Sequence, residues 1–179
     1  SVLNGYKNKI NAIMITELEN VEIYALAIQS NNEKKAAAAI KKNFSCPMPP
    51  IGQSALSKKH NLRILRLSSD QLFLFFNSKN LSTVQTIFKN LNDSFYITEQ
   101  TDAWLGLKVS GQRIMECLER ICPINISLDA FKENAFARTV MEHLGTIIIR
   151  VKSDEFELFS ASSSANSFLH AVETSAKNI

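Results

Sequence analysis

The feature that most constrains this chain of 179 residues is a stretch that it contains twice. Arg66-Leu-Ser-Ser-Asp-Gln-Leu-Phe-Leu-Phe-Phe76 aligns without gaps on Arg150-Val-Lys-Ser-Asp-Glu-Phe-Glu-Leu-Phe-Ser160, at a constant offset of 84 residues. Arg66 meets Arg150, Ser69 meets Ser153, Asp70 meets Asp154, and Leu74-Phe75 falls on Leu158-Phe159. Both copies have the form of an apolar strand, a Ser-Asp turn, a second strand and then a helix. A repeat of this kind dictates a fold made of two like units.

The flanking segments extend the correspondence. Residues 21–28 alternate as a strand. Asn31 or Asn32 caps a helix over residues 33–43, whose alanine run favours helix. Cys46-Pro-Met-Pro-Pro50 and Gly52 stop it, and a polar loop runs to about His60. Strands over 62–67 and 71–76 meet at Ser69-Asp70. A helix over 81–91 follows, capped by Asn80 or Ser82, with Leu81, Val84, Ile87, Phe88 and Leu91 on one apolar face. Residues 95–97 form another strand.

The second half opens with a strand over 104–109 and a helix from 112 to about 121, with Ile114, Cys117, Leu118 and Ile121 inward. That helix ends at Cys122-Pro123, as the first ends near Cys46-Pro47. These marks lie 76 residues apart, so the intervening loops differ by eight, which a loop absorbs at small entropic cost. After an irregular stretch, 124–134, come strands over 136–141, 146–151 and 156–160 and a helix over 164–176. The fold class expected is α+β: a single domain over 21–179, duplicated from two β-α-β-β-α units at about 21–101 and 102–179, packed in layers. Residues 1–20 carry little pattern beyond Ile13-Met-Ile15 and read as an N-terminal arm, laid against a partner or the body of the protein.

Composition limits the function classes. A chain of this length buries enough surface to fold without disulfide or metal, and 45% hydrophobic with 21% charged residues is ordinary for a soluble globular protein. The net charge of +3 comes from pairs such as Lys34-Lys35, Lys41-Lys42 and Lys58-Lys59, scattered along the sequence, so nucleic acid is not an expected partner. Cys46, Cys117 and Cys122 lack metal-type spacing, and a reduced, cytoplasmic compartment is the simplest expectation. No apolar run approaches a bilayer span, and no targeting signal is apparent, so no membrane is expected either.

Few residues invite chemistry. His60, His143 and His170 have neither an i, i+4 partner nor an HExxH context, which speaks for surface or loop positions. Cys117 reads as a small core residue. Nucleophile elbow, dinucleotide and Walker patterns are absent. Val109-Ser-Gly-Gln-Arg113 either binds an anion at a helix start or begins a helix with Arg113 in solvent, and the second is favoured. Asp70 and Asp154 suit turns by bonding their own following backbone, and Arg66 and Arg150 read as flanking strands. The expected sets of catalytic, cofactor-binding and metal-binding residues are all empty. The run Leu72-Phe-Leu-Phe-Phe76 is apolar on both strand faces and needs cover on both, one side of which, bearing Phe73 and Phe75 or their alternates, is open to a partner.

From Trp104 onward the sequence resembles the gamma subunit of heterotetrameric sarcosine oxidase. The resemblance rests on Leu105-Gly-Leu-Lys-Val-Ser-Gly-Gln-Arg-Ile-Met-Glu-Cys-Leu118, then Cys122-Pro-Ile-Asn-Ile126, Phe131, Ala137-Arg-Thr139, Ile147-Ile-Ile-Arg-Val151, Phe156-Glu-Leu-Phe159 and Ser167-Phe-Leu169. It covers roughly the last 75 residues well and the first half by layout. Asn125 stands at the family's usual aspartate after Cys-Pro. The resemblance implies a fold akin to the folate-binding domain of the glycine-cleavage T-protein, itself a duplication. It also implies a non-catalytic subunit beside alpha, beta and delta chains in a complex that oxidises sarcosine to glycine and forms peroxide and methylene-tetrahydrofolate. FAD, FMN, NAD and tetrahydrofolate would be bound by those other chains. The T-protein class carries an acidic residue in a strand for which the corresponding run here, 135–151, has no aspartate and places Ile147-Ile-Ile149 instead. The other readings are a stand-alone folate-binding aminomethyltransferase-like protein and an accessory subunit of another secondary-amine oxidase, such as a dimethylglycine oxidase.

Overall fold

The structure is a computed structural model that describes residues 1–179. In chain order its elements are β1 (Lys7–Ile10), β2 (Ile13–Glu17), β3 (Val21–Ile28), α1 (Glu33–Phe44), β4 (Ser54–Ser57), β5 (Leu62–Arg66), β6 (Gln71–Asn77), α2 (Leu81–Phe88) and β7 (Phe95–Glu99). They continue with β8 (Trp104–Ser110), α3 (Ile114–Glu119), β9 (Phe136–Met141), β10 (Leu144–Lys152), β11 (Glu155–Ala161) and α4 (Ala165–Lys177). The chain divides into two compact units, one of Asn20–Thr101 and one of Ser1–Glu19 with Asp102–Ile179.

The contiguous unit holds an antiparallel sheet in the order β4-β5-β6-β3-β7. Its helices cover one face. Ala36, Ile40 and Phe44 recur every four residues on α1, which places them on one stripe, and they pack with Val84 and Phe88 of α2 onto Tyr24, Leu26, Ile64, Leu72 and Leu74. Asn32 and Asn80 stand at the N-cap positions of α1 and α2, as the sequence suggested, but neither side chain makes a capping bond. Asn80 turns instead to donate to the carbonyl of His60 at 3.1 Å. The run Leu72–Phe76 is buried on both strand faces, Phe73 and Phe75 included at 7% exposure each. Those two rings are therefore not the partner surface expected of them. The loop expected before His60 contains β4, a four-residue edge strand whose Ser-Ala-Leu-Ser sequence lacks a recognisable alternation.

The other unit holds an antiparallel sheet in the order β1-β2-β8-β11-β10-β9. By sequence and pairing, β8 corresponds to β3, α3 to α1, β9 to β4, β10 to β5, β11 to β6 and α4 to α2. The order β7-β3-β6-β5-β4 thus reappears as β2-β8-β11-β10-β9. The place of β7 is filled by β2, which pairs antiparallel with β8 through Met14↔Ser110 to Glu17↔Leu107. Residues 1–20, read from the sequence as an arm, instead supply the strand that the second repeat lacks at its own end. Ile13 and Ile15 of β2 are fully buried among Leu107, Val109, Ile148, Leu158 and Phe168.

Two glycines permit this arrangement. Gly111 has φ +140°, and a Cβ there would come within 2.4 Å of the Ala12 carbonyl oxygen at the β1–β2 turn. At Gly106 a Cβ would lie 2.7 Å from the Phe159 ring. No helix is long and apolar enough to cross a membrane.

Candidate functional site

The repeated Arg-x-x-Ser-Asp segment places one arginine at the end of β5 and one near the end of β10. Both are buried, at 4% exposure for Arg66 and 1% for Arg150. Neither merely flanks a strand, as the sequence suggested. Their backbones do the same work in each unit. Arg66 N–H donates to the Gln53 carbonyl at 3.0 Å and its carbonyl accepts from Gly52 at 2.8 Å; Arg150 does so with Ala135 at 3.0 Å and Asn134 at 2.8 Å. The turn aspartates also match: the Asp70 carbonyl accepts from Ile28 at 2.7 Å, and that of Asp154 from Gly111 at 3.0 Å. Each turn thereby pins the end of its repeat's first strand, β3 or β8, which is a scaffold role.

The guanidinium groups differ. Arg66 donates from Nε to the Ser68 carbonyl at 2.9 Å, from Nη2 to the Ser69 carbonyl at 2.6 Å and from Nη1 to the Pro49 carbonyl at 3.3 Å. Its Nη2 also pairs with Glu33 Oε1 at 3.2 Å. Arg150 keeps the equivalent of the Pro49 bond, donating from Nη1 to the Phe131 carbonyl. Where Arg66 has a carboxylate, Arg150 has the Met115 thioether, with Nη2 3.1 Å from Sδ. Its guanidinium carbon lies 4.6 Å from the centroid of the Phe156 ring, and its Nε is buried with no partner. Burial pulls the Arg150 pKa down, and the nearby Glu133 charge only partly restores it. A buried cation without a counter-charge is destabilising unless its remaining donors are met, and at Arg150 a thioether stands where Arg66 has a carboxylate.

The histidines do not converge. His60 sits edge-on to Phe44 with ring centroids 6.1 Å apart. His170, on α4, lines a groove of about 350 Å³ with Arg120, Glu142, Ser167 and Thr174. His143 lines a neighbouring groove of about 370 Å³. Glu142 and His143 form the two-residue β9–β10 turn with φ of 47° and 69°, a backbone that favours asparagine and glycine. No group of three or more His, Cys, Asp or Glu side chains is close enough to hold a metal ion. The three cysteines are free and buried, and burial pushes each thiol pKa up. Arg113 is exposed, bonded to Glu116 through Nε at 3.1 Å and Nη2 at 2.7 Å, and stands before a helix of six residues. Arg113 thus stands in solvent as expected, but no side chain caps the helix start. Sequence reasoning missed the Arg150–Met115 contact, which only the duplicated comparison with Arg66–Glu33 makes visible.

No model of a known protein family matches the chain, and no curated protein sequence matches it. Among solved structures, it is similar to a heterotetrameric sarcosine oxidase from Corynebacterium sp. U-96, with 15% identity and a TM-score of 0.78 over 96% of this chain and 87% of that one. It is also similar to the glycine cleavage system aminomethyltransferase T from Bartonella henselae, with 14% identity and a TM-score of 0.62. There the match covers 87% of this chain but 44% of the aminomethyltransferase, so the chain spans less than half of that protein. The α+β fold with its two antiparallel sheets is thus the folate-binding-domain-like fold of these two proteins.

Proposed function

We propose that this chain is a non-catalytic structural subunit, of the gamma type, in a heterotetrameric sarcosine oxidase assembly. The observation that carries the reading is one of extent. The chain is matched over 96% of its length by 87% of one chain of such an oxidase, whereas it spans 44% of the aminomethyltransferase. Its own residues point the same way. Arg66, Asp70 and Asp154 are engaged in holding turns, and β10 carries Ile147, Ile148 and Ile149, all buried, at the position where the resemblance to the aminomethyltransferase class would place an acidic residue.

In this reading the partners are the alpha, beta and delta chains. They bind FAD, FMN, NAD and tetrahydrofolate and convert sarcosine to glycine, in the cytoplasm. The exposed large apolar side chains, Val2, Ile51, Leu56, Tyr96, Leu128 and Val140, are distributed over both units.

The rival reading is a stand-alone folate-binding aminomethyltransferase-like protein, for which the apolar β10 and the 44% coverage are unfavourable. Calorimetric titration of the isolated chain with tetrahydrofolate separates the two. The subunit reading expects no saturable heat and no peroxide from added sarcosine. Saturable binding would favour the rival, and turnover would sink the subunit reading outright. An accessory role in a dimethylglycine oxidase differs only in the amine that the partner chains accept.

A further inference from the structure

Two of the lysine pairs that are scattered in the sequence, Lys41-Lys42 and Lys58-Lys59, come together in the fold, while Lys34-Lys35 stays at the other end of α1. The last turn of α1 carries Lys41 and Lys42, and three other chain segments meet it there. Ser57 Oγ donates to the Phe44 carbonyl at 2.5 Å, which brings Lys58 and Lys59 of the β4–β5 turn alongside. The His60 ring lies against Phe44, while the His60 carbonyl accepts from Asn80 at 3.1 Å, which brings Lys79 to the same end. Asn90 Nδ2 approaches Asn43 Oδ1 at 3.4 Å, next to Lys89. All six lysines are exposed, and none is in an ion pair. Glu22, beside Ser78, accepts from Ser78 and Thr101 at 2.8 and 3.0 Å, and Asp93 lies three residues past Asn90.

The charge of the whole unit follows this cluster. Asn20–Thr101 has ten Lys and Arg against five Asp and Glu, net +5, and the rest of the chain has ten against twelve, net −2. A basic last turn complements the helix dipole of α1, which accounts for Lys41 and Lys42 but not for the other four. Like charges gathered without counter-ions repel one another, a burden that an acidic partner removes.

We infer that this lysine-rich end of the Asn20–Thr101 unit is a docking surface for an acidic face of a partner protein. Its chemistry distinguishes that occupant from nucleic acid. The cluster has no arginine among its six cations, and arginine is the residue that grips phosphates with two parallel bonds. It also has no exposed aromatic ring on which a base would stack. Lysines on flexible stems act as point charges, which suits the steering of an acidic protein surface. The inference deepens the subunit reading by naming the surface through which such a subunit would be held.

The test uses the full chain and a fluorescein-labelled peptide of ten glutamates as probe, with binding read by anisotropy at 50 mM salt. The variant K42E/K58E/K59E/K89E should lose at least tenfold in affinity. The control K7E/K9E/K152E/K177E, with the same change in net charge placed on the other unit, should retain affinity within threefold. Thermal melts confirm that both variants fold. Absence of peptide binding, equal losses in the two variants, or tighter binding of a 20-nucleotide single strand or of phosphatidylserine vesicles than of the peptide would each overturn the inference. A chain that binds the peptide through these lysines yet joins no oxidase assembly would leave the surface standing and the subunit reading refuted. The reverse result would refute the surface alone.

Discussion

Arg66 and Arg150 are the same residue of a duplicated unit, placed in two different electrostatic settings. The Glu33 partner of Arg66 is exposed, so that pair contributes little more than a surface ion pair, below about 1 kcal/mol. The unmatched Arg150 leaves more to gain. Met115→Glu would put a carboxylate at a half-buried position beside Nη2 and is expected to raise stability by about 1.5–3 kcal/mol, the range of a hydrogen bond to a charged group. Thermal unfolding at pH 7 and at pH 3 checks it, because the gain must vanish once the new carboxyl is protonated. A lower midpoint at pH 7 would mean that Arg150 is already satisfied. The thiols give a second residue-scale expectation. With Cys46, Cys117 and Cys122 buried and their pKa values pushed up by that burial, none should react with a disulfide reagent at pH 8, and all three should react in denaturant. Helical spacing already turned Cys117 inward, but the settings of the two arginines were not legible from spacing. The sequence shows that Arg66 and Arg150 correspond, but burial and the swap of Glu33 for Met115 depend on how helix and turn meet.

At the scale of elements, the hairpin of β1 and β2 is held at both ends. Asn11 Nδ2 donates to the Ala176 carbonyl at 3.0 Å and Tyr6 Oη to Glu173 at 2.8 Å, which fixes the hairpin to α4. At the other end, Glu17 is 6% exposed and accepts from Ser1 Oγ at 2.5 Å and from the amides of Val2, Leu3 and Gly5 at 3.0, 3.1 and 2.9 Å. Burial alone would raise its pKa, but the Ser1 hydroxyl and the three amides outweigh it and hold the carboxyl below its ordinary value of 4.5. A depressed folded pKa stabilises the protein above the unfolded pKa, and that contribution is lost as pH falls through the folded value. The wild type should therefore lose more stability between pH 5 and pH 3 than Glu17→Gln, as urea unfolding would show. Parallel losses in the two proteins would contradict it. The β9–β10 turn offers the opposite case, because Glu142 and His143 both adopt left-handed backbone. Glu142→Asn with His143→Gly should gain about 1–2 kcal/mol, or roughly 2–8 °C in Tm for a chain of this size. An unchanged or lower Tm would show that these side chains are held by the grooves that they line. Long amphipathic elements such as α1 and α4 were readable because their apolar residues recur at helical spacing. The hairpin was not, since Lys7–Lys9 are exposed and β1 is a strand only through its pairing with β2, which in turn pairs with β8.

At the scale of the whole molecule, the duplication was visible in eleven aligned residues, and the fold follows it with one exchange of strands. The N-terminal β2 takes the sheet position that β7 holds in the other unit. An exchange of this kind leaves no trace in a repeat search, because the swapped strands lie at different ends of their repeats. The functional reading stands on the same scale: a chain whose extent matches one chain of a sarcosine oxidase and whose repeated turns are scaffold. The most direct test is co-expression of this chain with candidate alpha, beta and delta chains, followed by gel filtration with light scattering. The account predicts one complex containing all four chains in equal amounts, with sarcosine-dependent peroxide in that complex and none in the isolated chain. Elution of this chain apart from a complete and active complex of the others would contradict it.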